Sequence, residues 1–215
     1  MNDKLLLYQG DNPRFLCVQL MAEEESAFVQ EEIAYLKAHY TKDFSFIAYP
    51  VTNWNDALSP WPAKAVFGKN DFGGNAQNTL KEVEALGKEY DLPVILGGYS
   101  LASLFSLWAG YKSDAFTALA CASPSVWYEG WDEFINTHPM QAKYVYLSLG
   151  DKEDKSKNPT MQKVRERILL QEDLLVKQGV TTTLEWNEGN HFKDVNSRLT
   201  KAFGWCLKQL MEGEN

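Results

Sequence analysis

The chain has 215 residues, of which 45% are hydrophobic, and this size predicts a single domain that spans residues 1–215 around one buried core. With 21 basic and 29 acidic residues the formal net charge is -8, and the sequence has no basic block, which argues against a nucleic-acid or membrane partner and favours a small-molecule ligand. The first residues, MNDKLLLYQG, lack the apolar run of a signal peptide, and no segment reaches the ~18 apolar residues of a membrane span, so a cytoplasmic location is expected.

The first fifty residues alternate between strand and helix patterns. Apolar stretches at residues 4–8 and 15–20 predict two short strands, the first of them an edge strand closed by the turn cluster QGDNP. Residues 23–40 have apolar positions at helical spacing among glutamates and predict a surface helix, and residues 44–51 predict another strand. The order strand, helix, strand indicates a parallel sheet with helices on its faces.

Residues 52–75 show no period and are predicted to form a long loop. The segment carries Trp54, Trp61, Phe67 and Phe72 among polar residues, proline and glycine. A long loop without structure of its own is usually functional or disordered, and four aromatic residues argue against disorder. We therefore expect a wall of a substrate pocket here, with a small core closed by the two tryptophans as the alternative.

The chain is organised around residues 92–109, LPVILGGYSLASLFSLWA, which follow a predicted helix at residues 77–90. A short apolar strand runs into two glycines, a serine and an almost wholly apolar helix. In the motif GYSLA, Ser100 is expected on a strained turn where bulk two residues before or after would collide, so Gly98 and Ala102 supply small side chains. The motif predicts a nucleophilic serine, and a structural turn with a capping serine is the alternative.

The second half of the chain continues the alternation. Strands are predicted at residues 116–122, 144–149 and 181–186, and helices at residues 160–178 and 197–211. A second aromatic group, with Trp127 and Trp131, follows Ser125. Ser125 is a rival nucleophile by position, although a serine after proline at a strand end is more often a turn or cap residue. The pattern as a whole predicts an α/β domain with helices on both faces of the sheet.

Four stretches, in chain order, carry a resemblance to a known family. They are GGYSLASLFSLWAGY, ACASPSVWY, LSLGDKED and EWNEGNHF, and together they resemble the esterase D-like branch of the α/β-hydrolases over residues 15–210. That branch includes feruloyl and siderophore esterases, S-formylglutathione hydrolases and some acyltransferases. The resemblance implies the α/β-hydrolase fold, with a doubly wound, mostly parallel sheet and a small or absent cap domain. Ala102 stands where the branch usually has the second glycine of the nucleophile turn.

A serine nucleophile needs a base, and the sequence has three histidines. His39 ends a predicted surface helix, and His138 precedes a proline in a polar turn. His191 directly follows the last predicted strand, at the sheet edge where Ser100 is also expected. His191 is therefore the predicted base.

The third member of a triad is a carboxylate that orients the histidine. The turn after residues 144–149 offers Asp151, Glu153 and Asp154, and on the residues alone all three stay open, although a short side chain at Asp151 suits the turn amides. In the hydrolases that the sequence resembles, the acid commonly lies three residues after a glycine such as Gly150. The resemblance thus implies Glu153, with Asp151 and Asp154 as alternatives and Asp154 expected to point to solvent.

The remaining site residues follow from the position of the nucleophile. The backbone N–H of Leu101, at the start of the helix, is expected to stabilise an oxyanion, with a second N–H near Met21 or Ala22 placed by analogy to the fold. The expected substrate-binding residues are Trp54, Trp61, Tyr99 and Trp127. These residues predict a serine hydrolase of small carboxylic esters, with a pocket that favours an aromatic or bulky apolar group. The alternatives are an acyltransferase with the same triad and a catalytically silent binding protein.

The number and spacing of the cysteines and histidines limit which metals and cofactors the protein could bind. Cys17, Cys121 and Cys206 are an odd number at wide spacing within apolar runs, which predicts buried free thiols in a reducing compartment. Three scattered cysteines and three scattered histidines form no zinc-binding pattern, and the sequence has no phosphate-binding glycine loop. We therefore expect neither a metal nor a cofactor, and the sequence leaves the oligomeric state open.

Overall fold

The structure is a computed structural model that describes residues 5–22 and 26–213. Its strands are β1 Leu5–Gln9, β2 Phe15–Met21, β3 Phe44–Pro50, β4 Pro62–Ala63, β5 Phe72–Gly73, β6 Val94–Tyr99, β7 Ala118–Ala122, β8 Tyr144–Gly150 and β9 Thr181–Asn187. Its helices are α1 Ser26–His39, α2 Trp54–Ala57, α3 Ala76–Tyr90, α4 Leu101–Lys112, α5 Trp131–Thr137, α6 Val164–Lys177 and α7 Val195–Gly213. Two 3₁₀ turns cover Glu153–Lys155 and Met161–Lys163.

Seven strands form the main sheet in the order β1-β3-β2-β6-β7-β8-β9. Strand β1 is antiparallel to β3, and the other neighbours are parallel. The chain first winds outward from β2 and then crosses to β6 and winds the other way, so the strand order reverses between β2 and β6. In open α/β sheets ligands bind at the carboxyl ends of the strands beside such a reversal.

Helices cover both faces of the sheet, as expected. The five inner strands of the main sheet are buried on both sides; along β2, Leu16, Val18 and Leu20 pack with α3 and α4, while Phe15, Cys17 and Met21 pack with α1 and α7. Strands buried on both faces have continuous apolar sequences rather than alternating ones. Helix α4 is buried at every position from residue 101 to residue 111, which explains why its sequence is apolar on all sides.

Four short elements were not predicted. The segment of residues 52–75, expected to be a loop, contains the helix α2 and a two-stranded sheet of β4 and β5. The fourth, α5, begins at Trp131 in the second aromatic group. Elements of two to seven residues are too short to show a hydrophobic period, so the sequence pattern could not reveal them.

The longer elements agree with the sequence to within a few residues. Lys4 of the predicted first strand and residues 23–25 of the predicted first long helix lie outside the described residues. The helix predicted for residues 160–178 begins as a 3₁₀ turn and becomes α6 at Val164. Within residues 5–22 and 26–213, no helix is long and apolar enough to cross a membrane.

The three cysteines are buried and free, as expected. Burial raises the pKa of all three thiols, which keeps them protonated near neutral pH. A buried, protonated thiol is a poor nucleophile, so none of the cysteines competes with serine for that role.

Candidate active site

Ser100 lies between β6 and α4 in a strained backbone conformation, with φ 58° and ψ -116°. Residues other than glycine rarely adopt a positive φ, and such strain concentrates at functional sites. A Cβ atom on Gly98 would lie 2.6 Å from the Cβ atom of Ala102. The close approach is the physical reason for small residues two positions before and after the serine.

The Ser100 hydroxyl makes its side-chain hydrogen bond with a second serine. The two Oγ atoms of Ser100 and Ser125 are 3.2 Å apart, and the Ser125 backbone N–H also donates to the Ser100 carbonyl at 3.2 Å. His191 lines the same cavity as both serines, but among the described residues no hydrogen bond joins it to Ser100. Catalytic hydrogen bonds are often long or misaligned until substrate is bound.

The structure brings His191 together with Glu153. His191 lies on the loop between β9 and α7, and its Nδ1 atom is 2.7 Å from Oε2 of Glu153, in the 3₁₀ turn after β8. The Tyr99 hydroxyl donates a hydrogen bond to the backbone carbonyl of His191 at 2.6 Å, which ties this loop to the end of β6. Because Nδ1 is engaged by the carboxylate, Nε2 is the ring nitrogen left to exchange a proton.

Glu153 is only 8% exposed, and each oxygen of its carboxylate has a hydrogen-bond partner. While Oε2 bonds to His191, Oε1 accepts hydrogen bonds from the Gly150 N–H at 2.7 Å, from Ser123 Oγ at 2.9 Å and from Arg198 at 2.9 Å. Burial raises the pKa of this carboxyl, but the hydrogen bond and charge of His191 and the bonds from Gly150 and Ser123 outweigh burial, so the pKa lies below its ordinary value. The group is therefore ionised at neutral pH.

The other two carboxylates of this turn have different surroundings. Asp151 is exposed, and its Oδ1 accepts a hydrogen bond from the Gly189 N–H at 2.7 Å. The Asp154 carboxylate pairs with Lys155 at 3.1 Å and with Arg165 at 3.3 Å, and its side chain is only 13% exposed. The expectation that Asp154 points to solvent is wrong, because its ion pair with Arg165 on α6 holds the side chain against the protein surface.

The two residues expected to supply oxyanion donors differ in whether they line the cavity. Leu101, the first residue of α4, lines the cavity beside Ser100, and the backbone N–H groups at the start of a helix favour an anion. Met21 is the last residue of β2, and its side chain is in the core on the α1 and α7 face. Ala22, the next residue, lines the cavity.

A cavity of about 1000 Å³ opens at the carboxyl ends of β2 and β6, around Ser100 and His191. Three of the expected substrate-binding residues, Trp54, Tyr99 and Trp127, line it. Phe67 and Phe72, from the segment expected to form a pocket wall, line it as well. Further lining residues that the sequence did not single out for this role are Ser125, Met161, Phe192 and Val195. Apart from His191 and Tyr99, the lining side chains carry no ionisable group among the described residues.

Trp61, the fourth expected residue, lies outside this cavity. Its indole packs against Tyr128, Trp131 and Phe134, and its N–H donates to the carbonyl of Glu129 at 2.8 Å. The contacts match the alternative of a small core beneath the loop, which the residue pattern of the segment could not distinguish from a pocket wall. We therefore leave Trp61 out of the pocket.

Sequence reasoning missed two groups at the site, Ser123 and Arg198. Arg198 lies on α7 four residues before Ala202, on the stripe of this helix that faces the core, and it is 1% exposed. A cation on an apolar stripe, close to the edge of the sheet that carries the site, is a signal that could have found it. Across residues 5–22 and 26–213, no cluster of histidine, cysteine and carboxylate side chains is arranged to hold a metal ion.

Comparisons with known proteins show similarity in fold only. No protein-family model and no curated protein matches the sequence. The structure is similar to that of an IroE-like serine hydrolase from Shewanella oneidensis, with a TM-score of 0.76 and 15% identity over 95% of this chain and 74% of that chain. It is also similar to siderophore hydrolase EstA from Aspergillus nidulans, with a TM-score of 0.68 and 18% identity over 92% of this chain and 84% of that chain.

A third similar structure is FphF, a fluorophosphonate-binding serine hydrolase of Staphylococcus aureus, with a TM-score of 0.56 and 10% identity over 94% of this chain and 85% of that chain. At identities of 10–18% such likenesses establish the fold rather than the activity. The strand order, the sharp turn at Ser100 and these likenesses agree, and the chain has the α/β-hydrolase fold.

Proposed function

We propose that this protein is a serine carboxylic ester hydrolase that acts through Ser100, His191 and Glu153. The observation that carries the proposal is the pairing of His191 with a buried, ionised carboxylate at 2.7 Å, beside a cavity that also exposes a serine in a strained turn. The combination is the arrangement that serine nucleophiles require, because serine at its free pKa is unreactive. The serine hydrolases among the similar structures support the same class of reaction.

The proposed mechanism has two proton transfers through one histidine. His191 takes the Ser100 proton at Nε2 as Oγ attacks the ester carbonyl, and then returns it to the leaving alcohol, which yields an acyl-enzyme and the free alcohol. Water attacks the acyl-enzyme by the same route and releases the acid. The ionised Glu153 holds the imidazole and stabilises its cation in both steps.

The negative charge on the carbonyl oxygen needs hydrogen-bond donors at the moment it forms. The first donor is the Leu101 N–H at the start of α4, and the second is expected from the backbone at the end of β2, near Met21 or Ala22, by analogy to the fold. Each such donor typically lowers the barrier by ~3 kcal/mol.

For the reaction, Ser100 must exchange its partner. Its hydroxyl bonds to Ser125 in the resting protein, and in the proposed mechanism it gives up this bond for one to Nε2 of His191. Ser125 then serves to hold the resting rotamer and is not itself a nucleophile.

The chemistry of the cavity also suggests a substrate class. Its wall is rich in aromatic rings, with Trp54, Phe72 and Trp127 inside and Phe67 and the 84% exposed Phe192 at the rim. Lysine, arginine and carboxylate side chains do not line it among the described residues. A neutral acyl group with an aromatic or bulky apolar part fits this wall, whereas a charged acyl group would lose its hydration without gaining a partner.

The test of the proposed function uses the two neighbouring serines as a matched pair. We expect a fluorophosphonate probe to label the wild type on Ser100, as found by peptide mapping, and to leave Ser100→Ala unlabelled. Ser125→Ala should be labelled and should keep ester turnover within about tenfold of the wild type, because losing one uncharged hydrogen bond changes a free energy by about 1 kcal/mol. Loss of labelling in Ser125→Ala alone would make Ser125 the nucleophile, and a folded but unlabelled wild type would refute the hydrolase.

A second experiment addresses the aromatic wall. Trp127→Ala is expected to lower kcat/KM for p-nitrophenyl benzoate by about tenfold or more and for the acetate ester by much less, because only the larger acyl group reaches the removed ring. Trp61→Phe, outside the cavity, is the control and should keep the ratio of the two esters. An unchanged ratio in Trp127→Ala would show that this ring is structural.

A further inference from the structure

The first turn of α7 contains an arginine that is almost completely buried. Arg198 is 1% exposed, and its backbone N–H donates to the carbonyl of Asp194 at 3.0 Å. A cation at the start of a helix faces the positive end of the helix dipole, and a buried charge is unfavourable unless it is paired. Such a position requires specific partners.

The guanidinium group joins the acid to the loop that carries the histidine. Its hydrogen bonds run from Nη1 to Glu153 Oε1 at 2.9 Å, to Tyr99 Oη at 3.0 Å and to Ser123 Oγ at 3.1 Å, and from Nη2 to the carbonyls of Asn190 at 3.0 Å and Glu188 at 3.3 Å. Tyr99 in turn donates to the carbonyl of His191. The planar fork of arginine suits several acceptors at once, which a lysine ammonium could not reach together.

We propose that Arg198 is a positioning residue, which holds the Glu153 carboxylate and the His191 loop in the geometry for proton transfer. The inference rests on the proposed function and goes beyond the triad. Three donors occupy Oε1 of Glu153, so Oε2 is the oxygen turned to His191. Arg198 does not line the cavity, so it acts through Glu153 and His191 and not on the substrate.

The charge of Arg198 has a second effect, on the carboxylate itself. Glu153 and Arg198 form a buried ion pair, and a cation in contact with a carboxylate favours its ionised form. Removing the cation makes Glu153 easier to protonate, which moves the acid limb of the pH profile upward.

The other titratable groups around this network lie nearer the surface. They are Asp151 after β8, Glu185 on β9 with Lys201 on α7, and Glu188, Lys193 and Asp194 on the histidine loop. Glu188 and Lys193 pair with each other at 3.0 Å, and Glu185 pairs with Lys201. Two opposite charges in each of these pairs largely cancel, which leaves Arg198 as the cation in direct contact with Glu153.

A double-mutant cycle tests whether Arg198 acts through the acid. With p-nitrophenyl butyrate as substrate, Arg198→Met is expected to lower kcat between about tenfold and a hundredfold, the range for groups coupled in one hydrogen-bond network. KM should stay within about twofold, because Arg198 does not line the cavity. In the Glu153→Gln background the same change should lower kcat by less than about threefold.

The pH profile separates positioning from support of the fold. The acid limb of kcat/KM in Arg198→Met is expected about one pH unit above that of the wild type. Arg165→Met is the matched control, because it also removes one positive charge beside a carboxylate of the same turn, Asp154. Its acid limb should coincide with that of the wild type.

Arg198→Lys and Arg198→Gln carry the test if the methionine variant does not fold. The lysine variant keeps the charge and should retain the acid limb while kcat falls, and the glutamine variant should shift the limb. If folded variants keep the wild-type kcat and acid limb, or if the loss is equally large in the Glu153→Gln background, Arg198 only stabilises the fold and the inference is overturned. A wild type that neither hydrolyses esters nor takes up the fluorophosphonate refutes the proposed function instead.

Discussion

Replacing His191 by glutamine is expected to lower kcat for ester hydrolysis by about a millionfold, because the variant lacks the proposed base that takes the proton of Ser100. Glutamine keeps a polar side chain at the cavity, so the Glu153 carboxylate retains a neighbour that can donate a hydrogen bond. The measurement is single-turnover release of p-nitrophenol, with the folded state checked by circular dichroism.

The two other histidines provide matched controls. His39 stacks on Tyr35 at the end of α1, and His138 stacks on Phe134 after α5. Substitution of either by glutamine should change kcat by no more than about twofold, as is usual away from a site. If His191→Gln kept more than about a tenth of the wild-type kcat, another group would be the base and the proposed triad would be refuted.

Glu153→Gln is expected to lower kcat by about 10⁴-fold, because an amide cannot stabilise the imidazolium and favours the wrong tautomer of His191. The variant also leaves the buried guanidinium of Arg198 without its carboxylate. We therefore expect the free energy of unfolding to fall by about 3 kcal/mol, measured by urea denaturation, and activity must be expressed per folded molecule.

Asp151→Asn and Asp154→Asn are the controls for the identity of the acid. Asp151 bonds to the Gly189 N–H and Asp154 to Arg165, so neither carboxylate contacts the imidazole. Each variant should keep kcat within about tenfold of the wild type, since neither loses a contact with the imidazole. A larger loss in either aspartate variant, with a folded and active Glu153→Gln, would transfer the role of the acid to that residue.

Much of the fold could be predicted from the sequence because its signals are local. Strands buried on both faces and an entirely buried helix have continuous apolar sequences, and the alternation of strands and helices predicts the parallel sheet. The sequence pattern could not predict that α2, β4, β5 and α5 exist, because elements this short are stabilised by packing and show no repeated hydrophobic pattern. Trp54 and Trp61 show the same limit, since similar surroundings in sequence lead to a cavity wall for one and a small core for the other.

By itself, the sequence determined that Ser100 stands in a sharp turn between a buried strand and a buried helix, because Gly98 and Ala102 leave room for it. It also narrowed the proposed base to His191 and the proposed acid to a turn of four residues. Only the tertiary structure decided which carboxylate meets the histidine, because a shift of one residue in that turn would exchange Glu153 for a neighbour. The tertiary structure alone also revealed Arg198, because residues 45 positions apart meet only when α7 packs close to the turn that carries Glu153. A buried cation at this position is tolerated only when a carboxylate lies within reach.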